Sequence, residues 1–168
     1  MNTLFVIGGA RSGKSRYAQG RIEALPGRLA FIATAERSDE EMTRRIARHR
    51  AERGPRWTAI EAPLDLPDAI GQAQDAADAI LVDCLTLWLS QLMLLDRDPD
   101  RAAADLVRAI QACRVPLAIV ANDVGGGIVP DNALARRFRD EAGLLNQRVV
   151  ATAEEVVLVT AGLPLALK

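Results

Sequence analysis

Gly8-Gly9-Ala10-Arg11-Ser12-Gly13-Lys14-Ser15 follows the apolar run Leu4 to Ile7 and spells GxxxxGK[ST], the phosphate-binding loop, between strand-like and helix-like segments. Backbone N–H groups cradle phosphate oxygens only where side chains leave room. The glycines provide that room, and the following helix adds the positive end of its dipole. Lys14 is expected to reach the terminal phosphates of a nucleoside triphosphate and Ser15 to ligate Mg2+. Lys14 is also one of only two lysines in an arginine-rich chain, a placement that a plain strand-to-helix turn does not explain.

Asp83 closes the run Ala79-Ile80-Leu81-Val82. A carboxylate at the end of a buried strand holds Mg2+ directly or through water, opposite the loop's Ser. Asp83 also suits the N-cap of a helix starting near Leu85, and the two roles are compatible. His49 is the only histidine in the chain. On a helix from Asp39 to Arg53, at about 100° per residue, it falls on the same inward side as Met42 and Ile46. Arg45 and Arg53 lie one turn to either side, with Arg44, Arg48, Arg50 and Arg56 nearby and Glu52 the acid among them. Guanidiniums beside an imidazole disfavour its protonated form and leave a ring nitrogen free for nucleophilic attack at neutral pH. The same arginines can neutralise a triphosphate. A solvated basic helix face is the alternative reading of the run, and an arginine-bearing kinase lid is a third.

Asn122-Asp123-Val124-Gly125-Gly126-Gly127-Ile128-Val129-Pro130 ends a strand in a glycine loop, suited to close backbone approach to a substrate or to a hinge. Glu61, after Trp57 to Ile60, is either a ligand contact or an ordinary loop acid.

The elements that must position these residues are legible as a rhythm. Leu4 to Ile7, Leu29 to Ala33, Ala79 to Val82, Leu117 to Ala121 and Val156 to Val159 read as strands, with Trp57 to Ile60 and Leu163 to Leu167 as weaker candidates. Helical patterns occupy Lys14 to Leu25, Asp39 to Arg53, Leu66 to Ala77, Leu85 to Leu95, Arg101 to Ala112 and Asn132 to Ala153, and Ser38 with Glu41 has capping-box spacing. The alternation predicts an α/β fold with a mostly parallel sheet flanked by helices, and near-continuous apolar runs predict strands buried on both faces. Ligands gather at the carboxyl ends of such strands, where Gly8 to Ser15, Thr34-Ala35-Glu36, Asp83 and Asn122-Asp123 would share one crevice.

The chain's 168 residues fit one domain spanning 1–168. With 21 basic and 22 acidic residues, the balance argues against a nucleic-acid partner and for a small-molecule one. Cys84 and Cys113 have no metal-like spacing, and nothing near Met1 resembles a secretory signal, so a cytoplasmic protein is expected. Leu81 to Leu95, interrupted by Asp83, Ser90 and Gln91, falls short of the ~18 apolar residues of a membrane span, so no membrane association is expected.

Taken together, GGARSGKS, FIAT with a following acidic stretch and RIxxH, WxxxE at Trp57 to Glu61, the Asp83 site, the 122–130 loop, ARRFRD, NQR and the EEVxLV strand resemble one family. It is the bifunctional adenosylcobinamide kinase/adenosylcobinamide-phosphate guanylyltransferase family of cobalamin biosynthesis, and the similarity runs from Leu4 to the C-terminus. The resemblance implies a P-loop NTPase-type fold with a C-terminal antiparallel strand, and a homo-oligomer, with a trimer suspected. It implies phosphorylation of adenosylcobinamide with ATP or GTP, then transfer of GMP from GTP to adenosylcobinamide phosphate, giving adenosylcobinamide-GDP. His49 matches the family histidine that carries GMP covalently. Nucleotide contacts carry over to Gly8 through Ser15, to Thr34, Ala35 and Glu36, to Arg50, Ala51, Glu52 and Arg53, and to Glu61 and Asp83. Asp123 and Asp83 stand where the family or some of its members have Glu, which keeps the acid and draws the charge back by about 1.5 Å, one C–C bond.

Two other readings differ in what they predict. A simple P-loop small-molecule kinase would move only the γ-phosphate, with His49 a spectator. A nucleotide-gated switch would hydrolyse slowly and need a nucleotide-dependent partner.

Overall fold

The computed structural model describes residues 3–35 and 54–168. The elements there are β1 (Thr3–Gly8), α1 (Lys14–Glu23), β2 (Leu29–Ala33), β3 (Trp57–Glu61), α2 (Leu66–Ala76) and β4 (Ala79–Asp83), then α3 (Leu85–Leu94), α4 (Pro99–Ala112), β5 (Leu117–Asn122), α5 (Ala133–Thr152), β6 (Glu155–Thr160) and β7 (Leu163–Ala166). They build one seven-stranded sheet in the order β3-β2-β4-β5-β1-β6-β7. Every pairing is parallel except β6 with β7.

Successive strand residues face opposite sides, and that period of two divides the core. Leu4 and Val6 of β1, with Leu81, Val120 and Val157, pack under Ala18 and Ile22 of α1. Phe5, with Ile32, Val82, Ile119 and Val156, packs on the other face under α2 to α5. Both faces of the inner strands are therefore covered, as their continuous apolar runs predict, and each fully buried Leu- or Ile-sized side chain contributes about 1.5–3 kcal/mol. The rule fails at the rims, where β3 is largely exposed and β7 is exposed throughout. Strand β7 also accommodates Pro164, which an edge position tolerates.

Trp88 is buried, and its indole Nε1 donates to the Leu64 carbonyl at 2.8 Å, tying α3 to the segment before α2. The helix expected from Arg101 starts two residues earlier because Asp98 caps it. Its Oδ1 accepts from Asp100 N at 2.9 Å and Arg101 N at 3.3 Å, and Pro99 occupies the first turn where its missing N–H costs nothing. Helix α5 is capped by Asn132, whose Oδ1 accepts from Ala135 N at 3.1 Å. Helices expected to reach Leu25, Ala77, Leu95 and Ala153 end at Glu23, Ala76, Leu94 and Thr152. The Asp39 to Arg53 helix and the Ser38–Glu41 capping box lie outside the described residues. Among the described residues, no helix is long and apolar enough to cross a membrane.

Candidate functional site

Strand β1 delivers the chain into the loop at Gly8, and α1 begins at Lys14. Glycine is required at two points. A Cβ on Gly8 would collide with the Val159 carbonyl and stand 2.7 Å from Ser12 Oγ, while Gly13, the helix N-cap, has φ +96°. Arg11 is left-handed as well, at φ 55°. The loop closes on itself, Ser12 N donating to Gly9 O at 3.3 Å. Lys14 is only 8% exposed, and its Nζ donates to Gly9 O at 3.0 Å, so the ammonium lies folded over the loop. Ser12 Oγ is buried without a hydrogen-bond partner among the described residues. A loop holding a buried cation and an unsatisfied hydroxyl next to a helix N-terminus is built to receive an anion.

The rest of the rim follows from sheet register. Ala33 of β2 pairs with Asp83 of β4 on one side and Glu61 of β3 on the other, Asp83 pairs with Val120 of β5, and Asn122 of β5 pairs with Gly8. Glu61, Asp83, Asn122 and the phosphate loop therefore stand at the same carboxyl edge. Two strand spacings, about 10 Å, separate the β4 and β1 backbones, with β5 between them. Asp83 is the last residue of β4, and the N-cap position of α3 falls on Cys84, whose side chain makes no cap bond. The Ser15 hydroxyl and the Asp83 carboxylate are hard oxygen donors, the chemistry that suits Mg2+ bound by few protein ligands together with phosphate oxygens and water. Burial pushes the Cys84 thiol up, with Asp83 adding to it, which keeps this thiol protonated beside the site.

Thr34, expected among the nucleotide contacts, has no exposed surface. Its Oγ1 donates to Cys84 O at 2.6 Å and accepts from Cys84 N at 2.8 Å. Ala35 is half-buried at the rim and Glu61 is exposed. The 122–130 loop starts against the phosphate loop, Asp123 N donating to Gly8 O at 3.1 Å. It is tethered to α5 by Arg139, which donates to Gly125 O, and by Arg136, which donates to Pro130 O at 2.9 Å and Asp131 O at 2.7 Å. His49, Glu36, Arg50, Ala51, Glu52 and Arg53 lie outside the described residues.

One member of the basic run is placed elsewhere. Arg56 lies at the amino edge of the sheet, where its carbonyl accepts from Leu29 N at 2.8 Å. Its guanidinium donates to Glu23 O at 2.8 Å, Leu25 O at 2.8 Å and Gly27 O at 3.2 Å, satisfying the carbonyls at the end of α1. It caps a helix rather than facing phosphate. Sequence reasoning passed over two supports. Thr86 Oγ1 accepts from Asn122 N at 2.7 Å, fixing the end of β5, and Gly162 N donates to Ser12 O at 2.8 Å from behind the phosphate loop. Neither has a local signature, since each joins positions far apart in the chain.

Fold and site define an α/β protein of the P-loop nucleotide-binding kind, with its phosphate loop at the carboxyl edge of the sheet. The family described as cobinamide kinase / cobinamide phosphate guanyltransferase matches residues 4–167, and the chain belongs to that family. The bifunctional adenosylcobalamin biosynthesis protein CobP of Pseudomonas aeruginosa is 44% identical over 167 residues, covering 97% of this chain and 95% of that protein. The bifunctional adenosylcobalamin biosynthesis proteins CobU of Salmonella typhimurium and Escherichia coli are 39% and 37% identical, each over 98% of this chain and 99% of the relative. A KaiC-like protein from Pyrococcus horikoshii OT3 has the same kind of fold, with a TM-score of 0.57 at 14% identity over 94% of this chain and 71% of that one.

Proposed function

We propose that the protein is a bifunctional enzyme of adenosylcobalamin biosynthesis, acting as one catalytic domain over residues 1–168. It phosphorylates the aminopropanol hydroxyl of adenosylcobinamide with ATP or GTP, then transfers GMP from GTP to that phosphate to give adenosylcobinamide-GDP. The observation that carries this reading is a match spanning residues 4–167 in a chain whose phosphate loop is complete and correctly seated at the end of β1.

In the first reaction the acceptor hydroxyl oxygen bonds to the γ-phosphorus and gives up its proton to solvent, and the bond to the β–γ bridging oxygen breaks, releasing a nucleoside diphosphate. The backbone N–H groups of the loop from Gly9 to Lys14 hold the phosphates, and the Lys14 ammonium exchanges the Gly9 carbonyl for phosphate oxygens as charge builds on them. Ser15 and Asp83 hold Mg2+, which supplies positive charge to the phosphates when bound. Ala35, Glu36, Glu61 and the segment Arg50, Ala51, Glu52 and Arg53 line the nucleotide, and the glycine loop beside Gly8 faces the acceptor.

In the second reaction a ring nitrogen of His49 attacks the α-phosphorus of GTP, forming a P–N bond while pyrophosphate leaves. An oxygen of the adenosylcobinamide phosphate then attacks the same phosphorus, the P–N bond breaks and the imidazole is restored. One difficult displacement becomes two easier ones. The enzyme is proposed to work in the cytoplasm as a homo-oligomer, with a trimer expected from the family resemblance and with neither nucleic acid nor membrane as partner.

Incubation with GTP labelled at the α-phosphate tests this reading. Acid-labile, alkali-stable label is expected on the protein, and His49→Ala is expected to abolish it without loss of the folded state. Persistence of the label in that variant, or label arriving only from the γ-phosphate, overturns the covalent step.

A further inference from the structure

We infer that Thr34 is a positioning residue for Asp83: by clamping the main chain of Cys84, its hydroxyl sets the direction in which the neighbouring carboxylate points. The inference rests on the reading that Asp83 holds Mg2+. It concerns a residue that the family resemblance places among the ligand contacts.

The need for a clamp arises where the sheet ends. The β2–β4 ladder runs from Leu29↔Ala79 to Ala33↔Asp83, and its last rung, Thr34 N to Asp83 O, is stretched to 3.5 Å. The β4–β5 ladder likewise stops at Asp83↔Val120. One residue further, Cys84 turns away into α3: its C=O accepts from Trp88 N at 3.3 Å, while its N–H has no strand to pair with. Both are in the interior, Cys84 being 5% exposed and Thr34 0% exposed. Buried main-chain groups demand partners. The Thr34 hydroxyl is the partner of the Cys84 N–H, accepting from it at 2.8 Å, and it donates to Cys84 O at 2.6 Å beside the bond which that carbonyl accepts from Trp88 N.

Asp83 is thus held on two sides, by ladder rungs before it and by Thr34 immediately after it. A carboxylate on a main chain fixed at both ends has its Cα–Cβ direction set before a ligand arrives, which is what an oxygen donor for Mg2+ requires. The hydroxyl has one donor, already used, and a fully covered surface, so it has nothing to offer a nucleotide directly. Thr86 acts in the same way on the adjacent strand, its Oγ1 accepting from Asn122 N at 2.7 Å.

The test uses the full chain saturated with a non-hydrolysable GTP analogue and titrated with Mn2+, free Mn2+ being read by electron paramagnetic resonance. Thr34→Val, which keeps the shape and removes the hydroxyl, is expected to weaken Mn2+ binding about tenfold, the scale of leaving one buried main-chain N–H unpaired. Affinity for the analogue without metal is expected to stay at the parent value. Thr34→Ser keeps the hydroxyl and is expected to restore Mn2+ binding. Thr34→Ala cannot clash and carries the same expectation as Thr34→Val if the latter does not fold. Parent-like Mn2+ affinity in the valine or alanine variant overturns the inference, as does a serine variant as weak as they are. Asp83→Asn separates the two layers. If it weakens Mn2+ binding and Thr34→Val and Thr34→Ala do not, only the positioning role falls; if it leaves Mn2+ binding unchanged, the metal assignment of Asp83 falls with it.

Discussion

The Gly162 main-chain N–H donates to the Ser12 carbonyl across 2.8 Å, so the turn between the last two strands is fastened to the back of the phosphate loop. That turn has two central residues, Ala161 at φ 51° and Gly162 at φ 82°. A two-residue hairpin with both φ positive favours Asn-Gly, and an alanine in the first place costs roughly 1 kcal/mol. Ala161→Asn is therefore expected to stabilise the protein by about 0.5–1 kcal/mol. Thermal unfolding checks it, a rise of about 1–4 °C being expected for a chain of this size. Nucleotide affinity should not change, because the bond from Gly162 to Ser12 remains.

Lys14 has a different balance of roles. Its ammonium reaches the Gly9 carbonyl in the loop itself, a bond that is replaced once phosphate oxygens arrive. Lys14→Ala is expected to lower the turnover of the phosphorylation step by about 100-fold or more, the scale for loss of one preorganised charge at a transferring phosphoryl group. Steady-state kinetics with adenosylcobinamide measure the loss. Unfolding midpoints should move little, which separates a catalytic deficit from a folding one.

Arg21 and Glu155 tie α1 to the start of β6 through two bonds of 2.7 Å, with the Tyr17 hydroxyl accepting a third at 2.8 Å. The Arg21 guanidinium holds the Glu155 carboxyl below the usual range, and the same contact raises Arg21. A carboxylate depressed in the folded state contributes stability above its unfolded pKa of about 4.3, and that stability is lost as pH falls through the folded value. Both side chains are about one-third exposed, so solvent limits the pair to roughly 0.5–1 kcal/mol. Glu155→Gln should therefore unfold at a lower temperature than the parent at neutral pH. The gap should close as both are acidified below the folded pKa, and a gap that persists there would place the effect in packing rather than charge.

What the sequence makes legible divides along sequence distance. The phosphate loop is eight contiguous residues, and Asp83 and Glu61 each close a short apolar run, so type, spacing and position are all visible locally. Strand ends then follow, because a parallel sheet brings carboxyl termini to one edge. The start of α4 has a local signal too, since Asp98-Pro99 is an N-cap followed by a first-turn proline, and apolar periodicity alone hides it. Arg56 shows a different limit. A run of arginines says that charge is present, while the direction of one guanidinium depends on where the end of α1 lies. The clamps at Thr34 and Thr86 and the brace at Gly162 join residues that approach only through the sheet, and a lone threonine among apolar neighbours carries no mark of its partner.

Strand β1 lies inside the sheet, with β5 and β6 as its neighbours. Its residues leave the ribosome well before either neighbour, since the strands that complete its hydrogen bonding are translated only after residue 116. The nascent chain must carry the apolar stretch from Thr3 to Ile7, with the phosphate loop behind it, until those strands emerge and the seat closes. Such sequence-distant pairing slows assembly and leaves hydrophobic surface open to chaperones in the interval. The competence to grip a nucleotide therefore arrives late, as the later strands dock.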